Sequence, residues 1–191
     1  MVADTKFVLA SRSPRRVQLL TELGIEFEVR PADVDETPQS GEEPTEYVGR
    51  LAHDKSFAVA SPGANEVVIG ADTTVDVDGV IFGQPFDENE AREMLIKLSG
   101  RSHLVHTGLC VIASASGIAI TEVVTSQVTF AVLSQDDLDQ YLASGEWSGK
   151  AGGYAIQGLA GTFVTALEGS WTNVVGLPTE ALAALLSTVN P

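Results

Sequence analysis

Residues 103–113 and 118–133 are rich in valine, isoleucine and threonine, with only Ser114-Ala115-Ser116-Gly117 between them. β-Branched side chains pack well on a pleated surface, and a short polar break ending in glycine is a turn. The pattern predicts a long antiparallel strand pair. Strands of that length commit the chain to a sheet, around which everything else must be arranged.

The first half supplies shorter strands that alternate with helices. Residues 7–10 (Phe-Val-Leu-Ala) read as a short buried strand, followed by a turn at Ser11-Arg12-Ser13-Pro14. Ser13 suits a helix N-cap, Pro14 suits the first helical position, and Gly24 closes a helix carrying Leu19, Leu20 and Leu23. Residues 27–30 predict a second strand. Residues 31–44, with Pro31, Pro38, Gly41 and Pro44, predict a loop, and residues from about 46 to 60 a helix. Val67-Val68-Ile69-Gly70-Ala71 is an apolar run ending at Asp72, which predicts a buried strand with an acid at its C-terminal end. Asp78-Gly79 between apolar residues signals a type I′ hairpin. Asp87 with Glu90 forms a capping box for a helix ended by Gly100. Ser134 caps another helix that ends near Gly145, and a last helix spans about 179–188. The expected fold is α/β: one domain over residues 1–191, with a mixed twisted sheet that includes a long antiparallel pair, flanked by helices. Its active-site cleft would lie at the C-terminal ends of strands.

Charge narrows the function. Acidic residues outnumber basic ones 26 to 11, for a net charge of −15. A general nucleic-acid binder needs a basic footprint, and an anionic membrane would repel this chain, so neither partner is expected. Cys110 is the single cysteine, which excludes an internal disulfide and a multi-cysteine zinc cage. No apolar run reaches the roughly 18 residues of a membrane span, and the N-terminus has no secretion-signal pattern. A cytoplasmic location is expected.

Because bases are scarce, their positions carry information. Arg12, Arg15 and Arg16 fall within five residues, and beyond Arg101 the only base is Lys150. Cations are slightly unfavourable at a helix start, so this cluster reads better as an anion site than as a solvated helix end, with Lys55 and Lys150 as additions from afar.

Several familiar sites are absent. Gly145 to Lys150 is one residue short of a P-loop, and Ala151 stands where that motif needs Ser or Thr. Asp76-Val77-Asp78-Gly79 lacks the remaining ligands of a calcium loop and fits a hairpin turn better. His103 and His106 are three apart on a strand, so they point to opposite faces and cannot share a metal. His53 reads as a surface or core histidine and Cys110 as core. The glycines crowded into residues 145–161 suggest either close backbone approach or an irregular loop.

What remains is an anion site beside a carboxylate. Ser11, Arg15 and Arg16 follow the first strand, and Asp72 follows another. Arginine forks and helix N-terminal amides suit phosphate. A neighbouring carboxylate can bind a divalent cation or activate water. The combination suggests metal-assisted hydrolysis of a phosphate anhydride.

The same residues resemble the Maf proteins, nucleoside triphosphate pyrophosphatases once described as septum-formation inhibitors. The resemblance covers nearly the whole chain, in family order. It runs through Leu9-Ala10-Ser11-Arg12-Ser13-Pro14-Arg15-Arg16, Val34-Asp35-Glu36, Leu51-Ala52-His53-Asp54-Lys55 and Ile69-Gly70-Ala71-Asp72-Thr73. It continues through Leu98-Ser99-Gly100 with His103 and Thr107-Gly108, then Lys150-Ala151-Gly152 through Gln157-Gly158, and Asn173-Val174-Val175-Gly176-Leu177-Pro178. It implies hydrolysis of a nucleoside triphosphate to monophosphate and pyrophosphate with Mg2+ or Mn2+, in a homodimer. By the same resemblance Asp72 is the proton acceptor that activates water, and Glu36 and Asp72 are the metal-side carboxylates. Ser11, Arg16 and Lys55 hold the triphosphate, with Lys150 as an addition. Arg15, Thr73 and Gln157 resemble the specificity residues of the dTTP/UTP pyrophosphatases; the related 7-methyl-GTP enzymes carry Trp, Gln and Glu there. A glutamine amide can donate and accept, which fits a uracil or thymine edge, so dTTP and UTP, together with modified uridine and other pyrimidine triphosphates, are the expected substrates.

Two positions depart from the family pattern. Gln84 stands where the family usually has lysine, and Gly149 where it usually has aspartate. Arg12, where the family usually has a small residue, could replace part of the lost charge; Arg12→Ala with unchanged kcat and KM would exclude that. The alternative to an enzyme is a nucleotide-binding regulator of septum formation with weak turnover.

Overall fold

The computed structural model describes residues 5–189. β1 (Lys6–Leu9) enters the sheet and is followed by α1 (Pro14–Glu22). Pro14 takes the first helical position and Ser13 is the N-cap, as the turn sequence predicts. β2 (Phe27–Val29) then lies parallel to β1, and α2 (Pro44–Val59) follows the proline-rich loop. α2 starts two residues earlier than its apolar spacing suggests, because Pro44 serves as its first residue.

β3 (Glu66–Val77) departs most from expectation. The sequence places Asp72 at the end of a short strand; the structure places it inside one of twelve residues. The apolar run ends at Asp72, but Thr73, Thr74, Val75 and Val77 continue in extended backbone because β5 (Ser102–Ala113) pairs antiparallel with β3 from Val67 to Asp76. The opposite edge is divided. β1 pairs with Lys6–Leu9 against Glu66–Ile69, and β4 (Val80–Phe82) pairs back onto Val75–Val77. Between them β3 has no strand partner on that edge, so Asp72 and Thr73 sit in a notch beyond the end of β1.

β5 and β6 (Ile118–Phe130) form the long antiparallel pair, in register from Ser102–Thr129 to Ala113–Ile118. β7 (Val164–Glu168) adds an edge strand that the sequence does not announce. The sheet order is β2-β1-β3-β5-β6-β7, with β4 off β3. The hairpin turn has positive φ at both Asp78 and Gly79, as a type I′ turn requires.

α2 covers one sheet face. On the other, α1 and α6 (Thr179–Val189) pack one half around Leu20, Ile69 and Leu109. α3 (Glu88–Leu98) and α4 (Gln135–Ser144) pack the other half around Val75, Leu95 and Tyr141. A five-residue helix, α5 (Trp171–Val175), sits between β7 and α6. Ser134 caps α4 by accepting from the Asp137 amide, and Gly145 ends it, both as predicted. No helix among the described residues is long and apolar enough to cross a membrane.

The two histidines of β5 have separate surroundings. His106 lies between Asp76 (Nε2 to Oδ2, 3.1 Å) and Thr125 (Nδ1 to Oγ1, 2.8 Å). His103 bonds the Tyr154 hydroxyl at 2.8 Å, edge-on to Phe130, so the two rings share no ligand. Burial pushes His103 down to about 4. It is therefore neutral when folded, whereas an unfolded histidine takes a proton below about 6.5. Between those values the unfolded chain binds the extra proton, so stability falls as pH drops from about 6.5 to about 4, by roughly 3 kcal/mol. In urea titrations at pH 7 and pH 4.5, His103→Gln should lose less stability on acidification than wild type. Equal losses would show that His103 does not carry the effect.

Candidate active site

The notch in β3 opens into a cleft of about 550 Å³. Its floor and walls come from the β1–α1 turn, the loop between β2 and α2 that carries Glu36, α2, the middle of β3, the loop around residues 149–157 and α5. Five basic and three acidic side chains line it, so the cleft gathers nearly half the bases of a strongly acidic chain. A locally positive cleft in a negative protein concentrates a polyanion there.

Arg16 is the best-anchored cation. It projects from the first turn of α1 and is buried. Its Nε donates to the Gly176 carbonyl at 2.8 Å, Nη1 to Ser11 Oγ at 3.2 Å and Nη2 to Thr73 Oγ1 at 3.0 Å. Three of five N–H groups are thereby fixed, and two remain for a ligand. Burial lowers its proton affinity, and the charges of Asp72 and Glu36 oppose that. Arg15, its neighbour in sequence, lines the same cleft. Its Nε is buried without a hydrogen-bond partner among the described residues, a donor that a bound acceptor would satisfy.

Lys55 reaches the cleft from α2. Its Nζ lies 2.6 Å from Asp72 Oδ1 and 2.8 Å from Glu36 Oε1. Burial raises the Asp72 carboxyl above the usual carboxylate range, and the charges of Lys55 and Arg16 pull it back down. The carboxylates of Glu36 and Asp72 thus converge on one ammonium, a point where positive charge is already favoured.

That convergence fits a divalent cation. Carboxylate oxygens are hard ligands, and magnesium is commonly held by one or two of them with water and substrate phosphates completing its shell. Among the described residues no cluster of three or more Asp, Glu, His or Cys side chains could form an all-protein cage. Glu36 and Asp72 are the two carboxylates here that could hold such an ion.

The loop side brings Lys150 and Gln157 to the same cleft, with Tyr154 in its wall. Lys150 Nζ donates to the Ser148 carbonyl at 2.9 Å, and burial lowers its proton affinity, helped by the charge of Arg15. The dense glycines here are an irregular loop with two short 3-10 turns, Ala151–Gly153 and Leu159–Phe163. The two departures from the family pattern meet in space: a Cβ built on Gly149 would lie 3.9 Å from Gln84 Oε1. Arg12 also lines the cleft and is exposed.

All the residues that the sequence points to, Ser11, Arg15, Arg16, Glu36, Lys55, Asp72, Thr73, Lys150 and Gln157, thus line one cleft. Two buried residues behind it, Thr107 and Asn173, belong to its hydrogen-bond network although the sequence patterns assign them no role. Only their place in family-like segments flags them. His53 is exposed and Cys110 is buried in the core, both outside this cleft.

Comparison with known proteins agrees with the geometry. Residues 6–189 match a family described as Maf-like protein. A protein of Anaeromyxobacter dehalogenans named dTTP/UTP pyrophosphatase is 50% identical over 183 residues, 95% of this chain and 92% of that one. A protein of the same name from Myxococcus xanthus is 50% identical over 97% of this chain and 94% of its own. One from Brucella abortus is 47% identical over 98% and 93%. Among solved structures, a HAM1 protein from Coxiella burnetii aligns over 97% of this chain and 100% of that one, with a TM-score of 0.54 and 14% identity, a likeness of fold alone.

Proposed function

Since the chain belongs to the Maf-like protein family, we propose that it is a nucleoside triphosphate pyrophosphatase that cleaves dTTP and UTP to the monophosphate and pyrophosphate. The observation that carries the reading is the meeting of Arg16, Lys55, Glu36 and Asp72 in one basic cleft. Arg16 and Ser11 offer a fixed fork and hydroxyl to phosphate oxygens, and Lys55, held between Asp72 and Glu36, adds a point charge. Asp72 accepts a proton from the water that attacks the α-phosphorus. The bond from that phosphorus to the bridging oxygen breaks, and pyrophosphate leaves with the electron pair. A carboxyl held above its usual range is a better base than an exposed aspartate, which suits this role.

Glu36 and Asp72 would hold Mg2+ or Mn2+, which when bound neutralises charge on phosphate oxygens. Arg15, Thr73 and Gln157 face the base, and Lys150 adds to the charge that draws in the triphosphate. A homodimer belongs to the same reading through the family resemblance. A cytoplasmic setting does so through the lone Cys110.

The test is an end-point hydrolysis panel with Mg2+ and with Mn2+, using dTTP, UTP, CTP, GTP and 7-methyl-GTP. dTMP, UMP and pyrophosphate are the expected products. Turnover of 7-methyl-GTP in their place would overturn the substrate assignment. Tight nucleotide binding without any turnover would replace the enzyme with a nucleotide-binding regulator, and Gln84 in the cleft wall would be the first residue to restore to lysine.

A further inference from the structure

Thr73 and Thr107 face each other across β3 and β5, with their hydroxyl oxygens 2.9 Å apart. Geometry alone leaves the direction of that hydrogen bond open; the neighbours settle it. Thr107 is fully buried, and its hydroxyl lies 3.0 Å from the Asn173 carbonyl oxygen. A carbonyl can only accept, so the single proton of Thr107 is spent there. Thr107 can then only accept from Thr73, which commits the Thr73 proton as well. On its other side Thr73 accepts from Arg16 Nη2 at 3.0 Å. The bonds therefore run one way, from Arg16 to Thr73 to Thr107 to Asn173.

The far end of this chain is rigid. Asn173 is buried, and its Nδ2 donates to the Val105 carbonyl and to Ser126 Oγ, both at 3.0 Å. Its backbone carbonyl also accepts from the Gly176 amide at 3.0 Å. The acceptor that takes the Thr107 proton thus has a fixed position.

A hydroxyl has one proton and two lone pairs. With its proton and one lone pair in use, Thr73 has one lone pair left for the cleft it lines. We propose that Thr107 is a positioning residue that fixes Thr73 as an acceptor only, so that Thr73 selects a pyrimidine bearing an imide N–H over one whose ring nitrogen is unprotonated. Uracil and thymine carry that N–H between two carbonyls; cytosine presents a lone pair there and would meet the Thr73 lone pair head-on. A phosphate oxygen has no proton to give and would be a poor partner for Thr73, which leaves phosphate to Ser11, Arg16 and Lys55. The inference rests on the reading of Thr73 as a base-facing residue and goes beyond it in assigning the cause to a residue outside the cleft.

The experiment compares kcat/KM for dTTP, UTP and CTP in wild type, Thr107→Val, Thr107→Cys and Thr107→Ser. Valine and cysteine keep the volume but remove a good acceptor, freeing the Thr73 proton to turn into the cleft. The preference for dTTP and UTP over CTP should fall by at least about tenfold, the scale of one mispaired polar group in a binding site. Most of the change should appear in KM for CTP. Serine retains the hydroxyl and should restore the wild-type ratio. General damage to the fold would lower all three substrates together and leave the ratio alone. A wild-type preference that survives in both Thr107→Val and Thr107→Cys overturns the inference and leaves the substrate assignment standing. A wild-type enzyme with no preference over CTP overturns both. If Thr107→Val does not fold, the cysteine variant decides.

Discussion

Asp72→Asn should lower kcat for dTTP by about a thousandfold while changing KM only a few-fold, within the range attributed to a positioned general base. The amide keeps the shape of the carboxylate, so the notch in β3 and its pairing with Gly108 are preserved. It cannot accept a proton at neutral pH. Lys55 keeps its other partner, Glu36, so the variant does not leave a buried ammonium without a counter-charge. Glu36 keeps its carboxylate for the cation, and losing a negative charge next to a polyanionic ligand does not weaken ground-state attraction, so at saturating metal, binding should persist. The pH profile separates this role from a structural one. Because burial holds the Asp72 carboxyl above its usual range, kcat/KM in the wild type should climb with pH as that group ionises. The limb should vanish in the variant. Steady-state assays between pH 4.5 and 8 read both effects. An Asp72→Asn variant retaining more than a tenth of the wild-type kcat would remove Asp72 from the chemical step.

The long β5–β6 pair and the capped helices were legible because each depends on local chemistry. β-Branched runs, Asp78-Gly79 and the Asp87 and Ser134 caps fix their own segments whatever the rest of the chain does. The sequence misplaces Asp72 within its strand because the limits of β3 are set by partners far along the chain. β1 ends its pairing at Ile69 while β5 continues to Asp76, and no pattern within residues 66–77 encodes that offset. β7 and α5 are five residues each, too short for a periodicity to register. The cleft shows the same division. Its cations stood out because a chain with so few bases places three of them within five residues. The link from Thr107 to Asn173 spans 66 positions and exists only once β5 and α5 are side by side. Motif order finds the residues that face the cleft; it does not show which way their hydrogen bonds run.

Gly108→Ala should cost about 3 kcal/mol and lower the melting temperature by roughly 10 °C, at the upper end of what overpacking a contact produces. A methyl at that position would overlap the Val48 carbonyl oxygen and lie 2.8 Å from the Gly49 nitrogen. These are backbone atoms of α2, so no side-chain rotation relieves the clash and the helix must lift from the sheet. Gly70 permits the same close approach further along α2, where a Cβ would overlap Ser56 Oγ and lie 2.7 Å from the Ala52 carbonyl. Gly108 is also the cross-strand neighbour of Asp72, so lifting α2 there stretches the 2.6 Å contact from Lys55 to Asp72. Activity should therefore fall together with stability. Gly49→Ala supplies the contrast on the same interface. Its methyl would meet only Val123 Cγ2, at 3.4 Å, and alanine is the better helix former by about 1 kcal/mol, so that variant should melt at or above the wild-type temperature. Thermal unfolding of the two variants side by side distinguishes backbone contact from ordinary packing. If Gly108→Ala melts with the wild type, α2 is not seated on the sheet closely enough for the glycine to matter, and the placement of Lys55 must depend on the helix's other contacts.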